Sequence, residues 1–207
     1  MNITEKFYLD YPKLIKLKDD IDNVNAVLLN CVKSRNKILV CGNGGSASDS
    51  EHIVGELMKG FNLPRPLDES LKEKFQNLPD ANILINGLQQ AIPAISLVSQ
   101  TSLITAIAND NNADLIFAQQ VFGYGESDDV LIALSTSGNS KNVYLAAQTA
   151  KALDMKIIAI TGKENSKLSE ISDITIKLPA QTPYEVQEFT LPLYHYLCAE
   201  LENNLFG

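Results

Sequence analysis

The chain holds only two histidines, His52 and His195, and each stands where it could move a proton. Glu56 follows His52 by four residues, so the two share one face if this stretch is helical, and Asp49 lies a turn earlier on a neighbouring face. His195 sits between Tyr194 and Tyr196 in an apolar run that also carries Gln187. Taken singly, each has an ordinary explanation: His52 as a satisfied helix histidine, Glu56 as a solvated carboxylate, His195 and Gln187 as packing residues with one hydrogen bond. Taken together, a Glu and a His form the acid–base pair that proton transfer beside a carbonyl requires. His52 with Glu56 is equally half of a metal site. Gln187 and His195 are separated by roughly 12 Å along a straight helix, too far for one unbroken helix to bring both to a single ion. Either Pro192 bends the helix or the two groups serve a site built from different subunits; the second reading is preferred.

Two polar turns lie within reach of these groups. Ser135-Thr136-Ser137-Gly138-Asn139-Ser140 places four hydroxyls and a glycine after an all-apolar strand and before a helix. Such a turn holds phosphate without a lysine, because the free N–H groups and positive end of the helix attract the anion while the hydroxyls add directed donors. A lone Ser-x-Ser reads as an ordinary N-cap; six consecutive small polar residues tip the reading toward a ligand. The companion turn, Gly42-Asn43-Gly44-Gly45-Ser46, is neither a Walker A loop nor G-x-G-x-x-G, so no nucleotide cofactor is expected. By itself it reads equally as a tight turn or a contact loop.

The elements that must position these residues follow from hydrophobic period. Lys37–Cys41, Ala94–Val98, Asp129–Leu134, Met155–Thr161 and Ile174–Leu178 read as short buried strands, with helical patterns over Tyr8–Arg35, Ser48–Phe61 and Asn142–Leu153. Strands alternating with helices imply crossover connections and a parallel sheet covered on both faces. Residues 1–35 form an N-terminal helical segment. Residues 62–90, with Pro64, Pro66 and Pro79, interrupt the rhythm as an insertion or lid-like excursion with a helix at Ser70–Phe75. The last helix opens with Thr182 as N-cap and Pro183 at the first helical position, and Pro192 inside it removes one backbone bond and should kink it.

At 207 residues the chain is about one domain long, and Lys plus Arg total 17 against 25 for Asp plus Glu, a formal charge of −8. That balance opposes a coat for nucleic acid or an anionic membrane, both of which need dense cationic patches. Two histidines exclude a His-rich cage. Cys31, Cys41 and Cys198 lie far apart among apolar neighbours and read as buried reduced thiols. No signal peptide and no run long enough to span a bilayer is seen, which points to a cytoplasmic protein.

With these residues in place, the sequence resembles the SIS (sugar isomerase) domain family, and within it the sedoheptulose-7-phosphate isomerases. The matching blocks are CGNGGSASDSEHIVGEL at 41–57, AIANDN at 106–111, LSTSGNSKNV at 134–143, ITGK at 160–163, and the helix with Gln187-Glu188 and His195. The resemblance implies an α/β, SIS-type three-layer sandwich, a five-stranded parallel sheet flanked by helices with an N-terminal helix, the whole of 1–207 forming one SIS domain. It also implies a homotetramer with active sites between subunits, and ketose–aldose isomerisation of a small-molecule sugar phosphate through an enediol(ate). By position, Glu56 resembles the general base and His195 the general acid; Ser135, Thr136, Ser137 and Ser140 resemble the phosphate cradle; and Asn43, Gly44, Ser46, Asp110 and Gln187 resemble substrate contacts. Some members bind zinc through residues matching His52, Glu56, Gln187 and His195. Three departures bear on substrate identity: Met58-Lys59-Gly60 lacks the family's arginine, Thr190 replaces a histidine, and 62–90 is longer than in compact members. A competing expectation is a non-catalytic SIS protein that binds phosphosugar or a replication initiator, weakened by the presence of both Glu56 and His195.

Overall fold

Residues 2–207 are described by a computed structural model. Five strands, β1 (Ile38–Cys41), β2 (Ala94–Ser96), β3 (Val130–Leu134), β4 (Lys156–Thr161) and β5 (Ile174–Lys177), form one parallel sheet in the order β2-β1-β3-β4-β5. All four pairings are parallel, with Val40 opposite both Ser96 and Ile132. Because successive strand residues face opposite sides, the sheet feeds two cores. Ile38, Val40, Ile132 and Ile158 join one, and Leu39, Leu131, Ala133 and Ile157 join the other. The expected sandwich of a parallel sheet between helical layers is what the chain forms.

The first core is covered by α1 (Ile3–Asp10), α2 (Lys18–Lys33), α3 (Gly45–Met58) and α10 (Pro183–Phe206); the second is covered mainly by α7 (Ala118–Tyr124), α8 (Lys141–Ala152) and α9 (Lys167–Ile171). The N-terminal segment is two helices, not one. Tyr11, preceding Pro12, leaves helical geometry at φ −124°, ψ 64°, as a residue before proline must, and a 3₁₀ turn follows. Residues 101–124, which carry only the AIANDN block in sequence, fold as α6 (Thr101–Ile107), a π-helical turn at Ala108–Asn112, a 3₁₀ turn and α7. The 62–90 stretch holds the expected helix, α4 (Glu69–Phe75), and a second, α5 (Ala81–Gly87). Neither buries any residue.

α10 runs continuously through Pro192, since only the helical bond to the carbonyl of Glu188 is lost. α10 lies beside α3 and in the same direction. Gln187 meets Gly45 at the start of α3, and His195 meets His52 two turns on. At the far end Arg65 closes the pair. Its Nε donates to Glu202 Oε1 at 2.7 Å, and its Nη1 and Nη2 donate to the carbonyls of Leu57 (2.7 Å) and Glu56 (3.3 Å). Both charged side chains are fully buried. Glu202 also accepts from the backbone N–H groups of Phe61, Asn62 and Leu63. Burial pulls the Glu202 carboxyl upward, but these donors outweigh it and hold the group below its ordinary 4.5.

Removing one partner of such a pair strands the other charge, so Arg65→Met should lower the unfolding free energy by about 3–5 kcal/mol in urea titrations. The same change should cost less in a Glu202→Gln background, where no charge is stranded. Because the folded carboxyl titrates lower than the unfolded one, its stabilisation is complete above pH 4.5 and drains away as pH falls below that value. Glu202→Gln should therefore flatten the acid limb of the stability curve.

Candidate active site

β1 has β2 on one side and β3 on the other, while its own helix α3 and the helix after β3, α8, cover opposite faces. The carboxyl ends of β1 and β3 thus form the switch point of the sheet, where open α/β sheets leave a crevice for ligands. The two polar turns meet there. Asn43 Nδ2 donates to Asn142 Oδ1 at 2.8 Å, and Asn142 Nδ2 donates back to Asn43 Oδ1 at 2.9 Å. Gly44 adopts φ +57°, ψ −120°, a conformation that a side chain would oppose. A Cβ on Gly45 would fall 2.4 Å from Gln187 Nε2, so the missing side chain lets α10 approach the start of α3.

The 135–140 turn is backed from behind. Ser135 N donates to Ile160 O, Gly162 N to Thr136 O and Leu168 N to Gly138 O, all at 2.9–3.1 Å. Ser135 is buried with its Oγ donating to Ser140 Oγ at 3.1 Å, while Ser137 is exposed. Ser140 is the N-cap residue of α8, so the first-turn N–H groups of that helix, of which that of Val143 donates to Asn142 Oδ1 at 3.0 Å, share the turn with the hydroxyls of Thr136, Ser137 and Ser140. Lys141, the next residue, pairs with Asp114 at 2.5 Å, which ties the α6–α7 connection to this helix start. Asp110, on that connection, is exposed, and among the described residues its side chain bonds only Asn109. Ser46 is buried in the first turn of α3.

The proton-transfer candidates gather one level along α3. His52 Nε2 lies 2.9 Å from Glu56 Oε1, and His52 Nδ1 lies 2.8 Å from the Tyr194 hydroxyl. The rings of His52 and His195 meet edge-on at 5.0 Å, and Phe61 covers His195 at 5.8 Å. Burial, seconded by the neighbouring His52, holds the His195 imidazole below its ordinary 6.5, so it is uncharged at neutral pH. Burial likewise raises the Asp49 carboxyl above its usual range. Lys59, at the end of α3, places Nζ 4.0 Å from Glu56 Oε2. His195 also borders a groove of about 200 Å³ against Phe7, Tyr11 and Phe61. A larger cavity, about 410 Å³, lies at the opposite end of the sheet among Ser127, Asp154, Lys156 and Asp173, away from all these groups.

Within one chain the structure brings together His52, Glu56 and His195 but leaves Gln187 at the Gly45 level, two rungs of the same helix pair. Among the described residues no three His, Cys, Asp or Glu side chains are arranged to hold a metal ion, and both nitrogens of His52 are already engaged. A four-ligand metal set is thus not assembled by one chain. Sequence reasoning missed Asn142 and Arg65, whose partners lie 99 and 137 residues away, and it took Tyr194 only as a neighbour of His195.

Two SIS domain families match, one over residues 99–198 and one over 13–89. The chain is similar to a phosphoheptose isomerase of Shewanella baltica (strain OS155), 36% identical over 193 residues that cover 92% of this chain and 86% of the relative. In structure it is similar to a phosphoheptose isomerase from Neisseria gonorrhoeae, with a TM-score of 0.74 at 28% identity, covering 98% of this chain and 100% of that one. A phosphoheptose isomerase from Francisella tularensis gives a TM-score of 0.75 at 27% identity, covering 97% and 94%.

The reciprocal Asn43–Asn142 bond makes a defined demand on binding energetics. Asn43→Ala and Asn142→Ala should each weaken binding of a sugar phosphate in calorimetric titrations. The double variant should lose less than the two losses added, with a coupling of about 0.5–3 kcal/mol; strict additivity would mean that the bridge does not hold the turns together.

Proposed function

The chain belongs to the phosphoheptose isomerase family of SIS-domain proteins, and on that premise we propose that it interconverts a ketose phosphate and an aldose phosphate, with sedoheptulose 7-phosphate as the ketose. The observation that carries this reading is the junction of Glu56, His52 and His195 on two adjacent helices, two turns along α3 from the place where the polar turns meet at the switch point of the sheet. The phosphate is held by the hydroxyls of Ser135, Thr136, Ser137 and Ser140 and by the N-terminal amides of α8, so no cationic side chain is needed. Asn43, Gly44, Ser46, Asp110 and Gln187 contact the sugar.

Glu56 takes the proton from C1 of the ketose, leaving an enediolate across C1 and C2, and returns it to C2 to give the aldose. His195, uncharged at neutral pH, offers an N–H to the C2 oxygen as charge develops there and relays the proton that leaves the C1 hydroxyl. The whole chain acts as one SIS unit, in which 62–90 is an excursion beside the end of α3. The two-rung separation of Gln187 and His195 and the exposed apolar residues Leu9 on α1, Ile15 on the 3₁₀ turn that follows it, and Tyr184 and Leu191 on α10 support a homotetramer whose sites are completed by neighbouring subunits. Zinc at His52, Glu56, Gln187 and His195, the set the family resemblance implies, would act as a Lewis acid on the carbonyl, but holding it would require His52 Nε2 to leave Glu56 Oε1 and the donors to be drawn from neighbouring subunits; no step above is routed through it. Among the described residues no helix is long and apolar enough to cross a membrane. The three buried thiols, with Cys41 and Cys198 pushed up to about 12 by burial, suit a reducing cytoplasm.

In deuterated water the protein should catalyse solvent exchange at C1 and C2 of sedoheptulose 7-phosphate. Glu56→Gln should cut that exchange by about 10²–10⁴-fold with little change in binding. A wild-type protein that binds ketose phosphates of five to seven carbons yet exchanges none of them would sink the isomerase reading. If zinc completes the site, the purified protein should carry near-stoichiometric metal and lose turnover when chelated. Full activity after verified metal removal would leave the Glu56–His195 pair as the whole machinery.

A further inference from the structure

Tyr194 is 2% exposed and sits in the core formed by Leu28, Ile53, Leu57 and Leu197, so its ring has no freedom to follow a moving partner. Its hydroxyl nevertheless reaches His52 Nδ1 at 2.8 Å, with the two rings edge-on at 5.4 Å and 72°. His52 is quite different. Its side chain is 45% exposed, against 15% for Glu56, and a ring so open to water would rotate freely if nothing held its inner edge. Asp49, one turn earlier on α3, has its carboxyl beside the same hydroxyl and a buried Oδ2 with no hydrogen-bond partner. A rigid phenol, backed by a carboxyl, thus faces one side of the imidazole while Glu56 faces the other.

We propose that Tyr194 is a positioning residue for the proton transfer: its hydroxyl fixes the His52 ring so that Nε2 faces Glu56 and keeps that carboxylate aimed at the substrate carbon. The inference rests on the isomerase reading. It adds a residue that touches neither the substrate nor the reacting atoms and works through two intermediaries, the imidazole and the carboxylate. A hydrogen bond on each side of the ring stops rotation about its bond to Cβ, which a single bond would permit. The aim of a base matters because proton abstraction needs hydrogen-bond reach in a defined direction.

Tyr194→Phe removes one oxygen and preserves the packing, so the thermal midpoint should stay close to that of the wild type. With sedoheptulose 7-phosphate, kcat should fall about ten-fold while KM is unchanged. In a His52→Gln background the same substitution should add no further loss, because the ring it orients is gone. Unchanged kcat, or an equal loss in both backgrounds, would overturn the proposal. A second readout does not depend on turnover: the His52 ring nitrogens, assigned by their disappearance in His52→Gln, should shift in ¹⁵N spectra of Tyr194→Phe. An unmoved His52 signal would overturn the contact even in an active enzyme. A wild-type protein without isomerase activity would overturn the functional reading, and the catalytic role of Tyr194 with it, whatever the spectra show.

Discussion

The side-by-side course of α3 and α10 is the constraint on which the candidate site depends. Three contacts set its register: Gly45 against Gln187, His52 against Tyr194 and His195, and the carbonyls of Glu56 and Leu57 against Arg65 on Glu202. The last is an ion pair with no exposure, and such pairs cost nearly as much to desolvate as they return. Its worth here is geometric. Glu202 gathers three backbone N–H groups and a guanidinium at one carboxylate, so the chain leaving α3 can turn in one way only. That turn carries Phe61 onto His195. The proposed acid–base pair is held from its far end by charges that lie outside it.

The site also resolves an electrostatic tension. A protein of net charge −8 repels a phosphorylated sugar at long range, and the proposed cradle, residues 135–140, includes no cationic side chain of its own, while the adjacent Lys141 is paired with Asp114. Short-range dipoles replace long-range charge. Backbone amides at the start of α8 and the hydroxyls of the 135–140 turn act only within the first turn of the helix, where the surrounding field matters little. Such a site gains selectivity for a correctly placed phosphate and forgoes electrostatic steering.

The centre of the sheet was legible in the sequence because β1, β3 and β4 are apolar runs ending in polar turns, the mark of strands buried on both faces, while the edge strands β2 and β5 are short and carry Ser96, Thr175 and Lys177. The cap at Thr182-Pro183 and the helix at 69–75 were legible for equally local reasons. The 101–124 stretch was not: its short helices are joined by π and 3₁₀ turns, which leave no steady period to read. Pro12 divided what periodicity alone joined. Within the site, the pairing of His52 with Glu56 followed from a four-residue spacing. The meeting of His52 with His195 is a tertiary fact with no local trace, as are the bonds of Asn43 to Asn142 and of Arg65 to Glu202. The distance argument for Gln187 and His195 was sound, and the parallel run of α3 gives each of them its own counterpart rather than a shared one.

The amide pair between Asn43 and Asn142 has a consequence for discrimination. Each amide spends one N–H and one oxygen lone pair on the other, which fixes its plane, and Asn43 keeps a second N–H and a second lone pair. A sugar hydroxyl that engages Asn43 therefore meets a donor and an acceptor whose directions are already set. What separates one sugar from another at this point is then stereochemistry: the hydroxyl that lies along those directions is accepted, and its epimer finds no partner there.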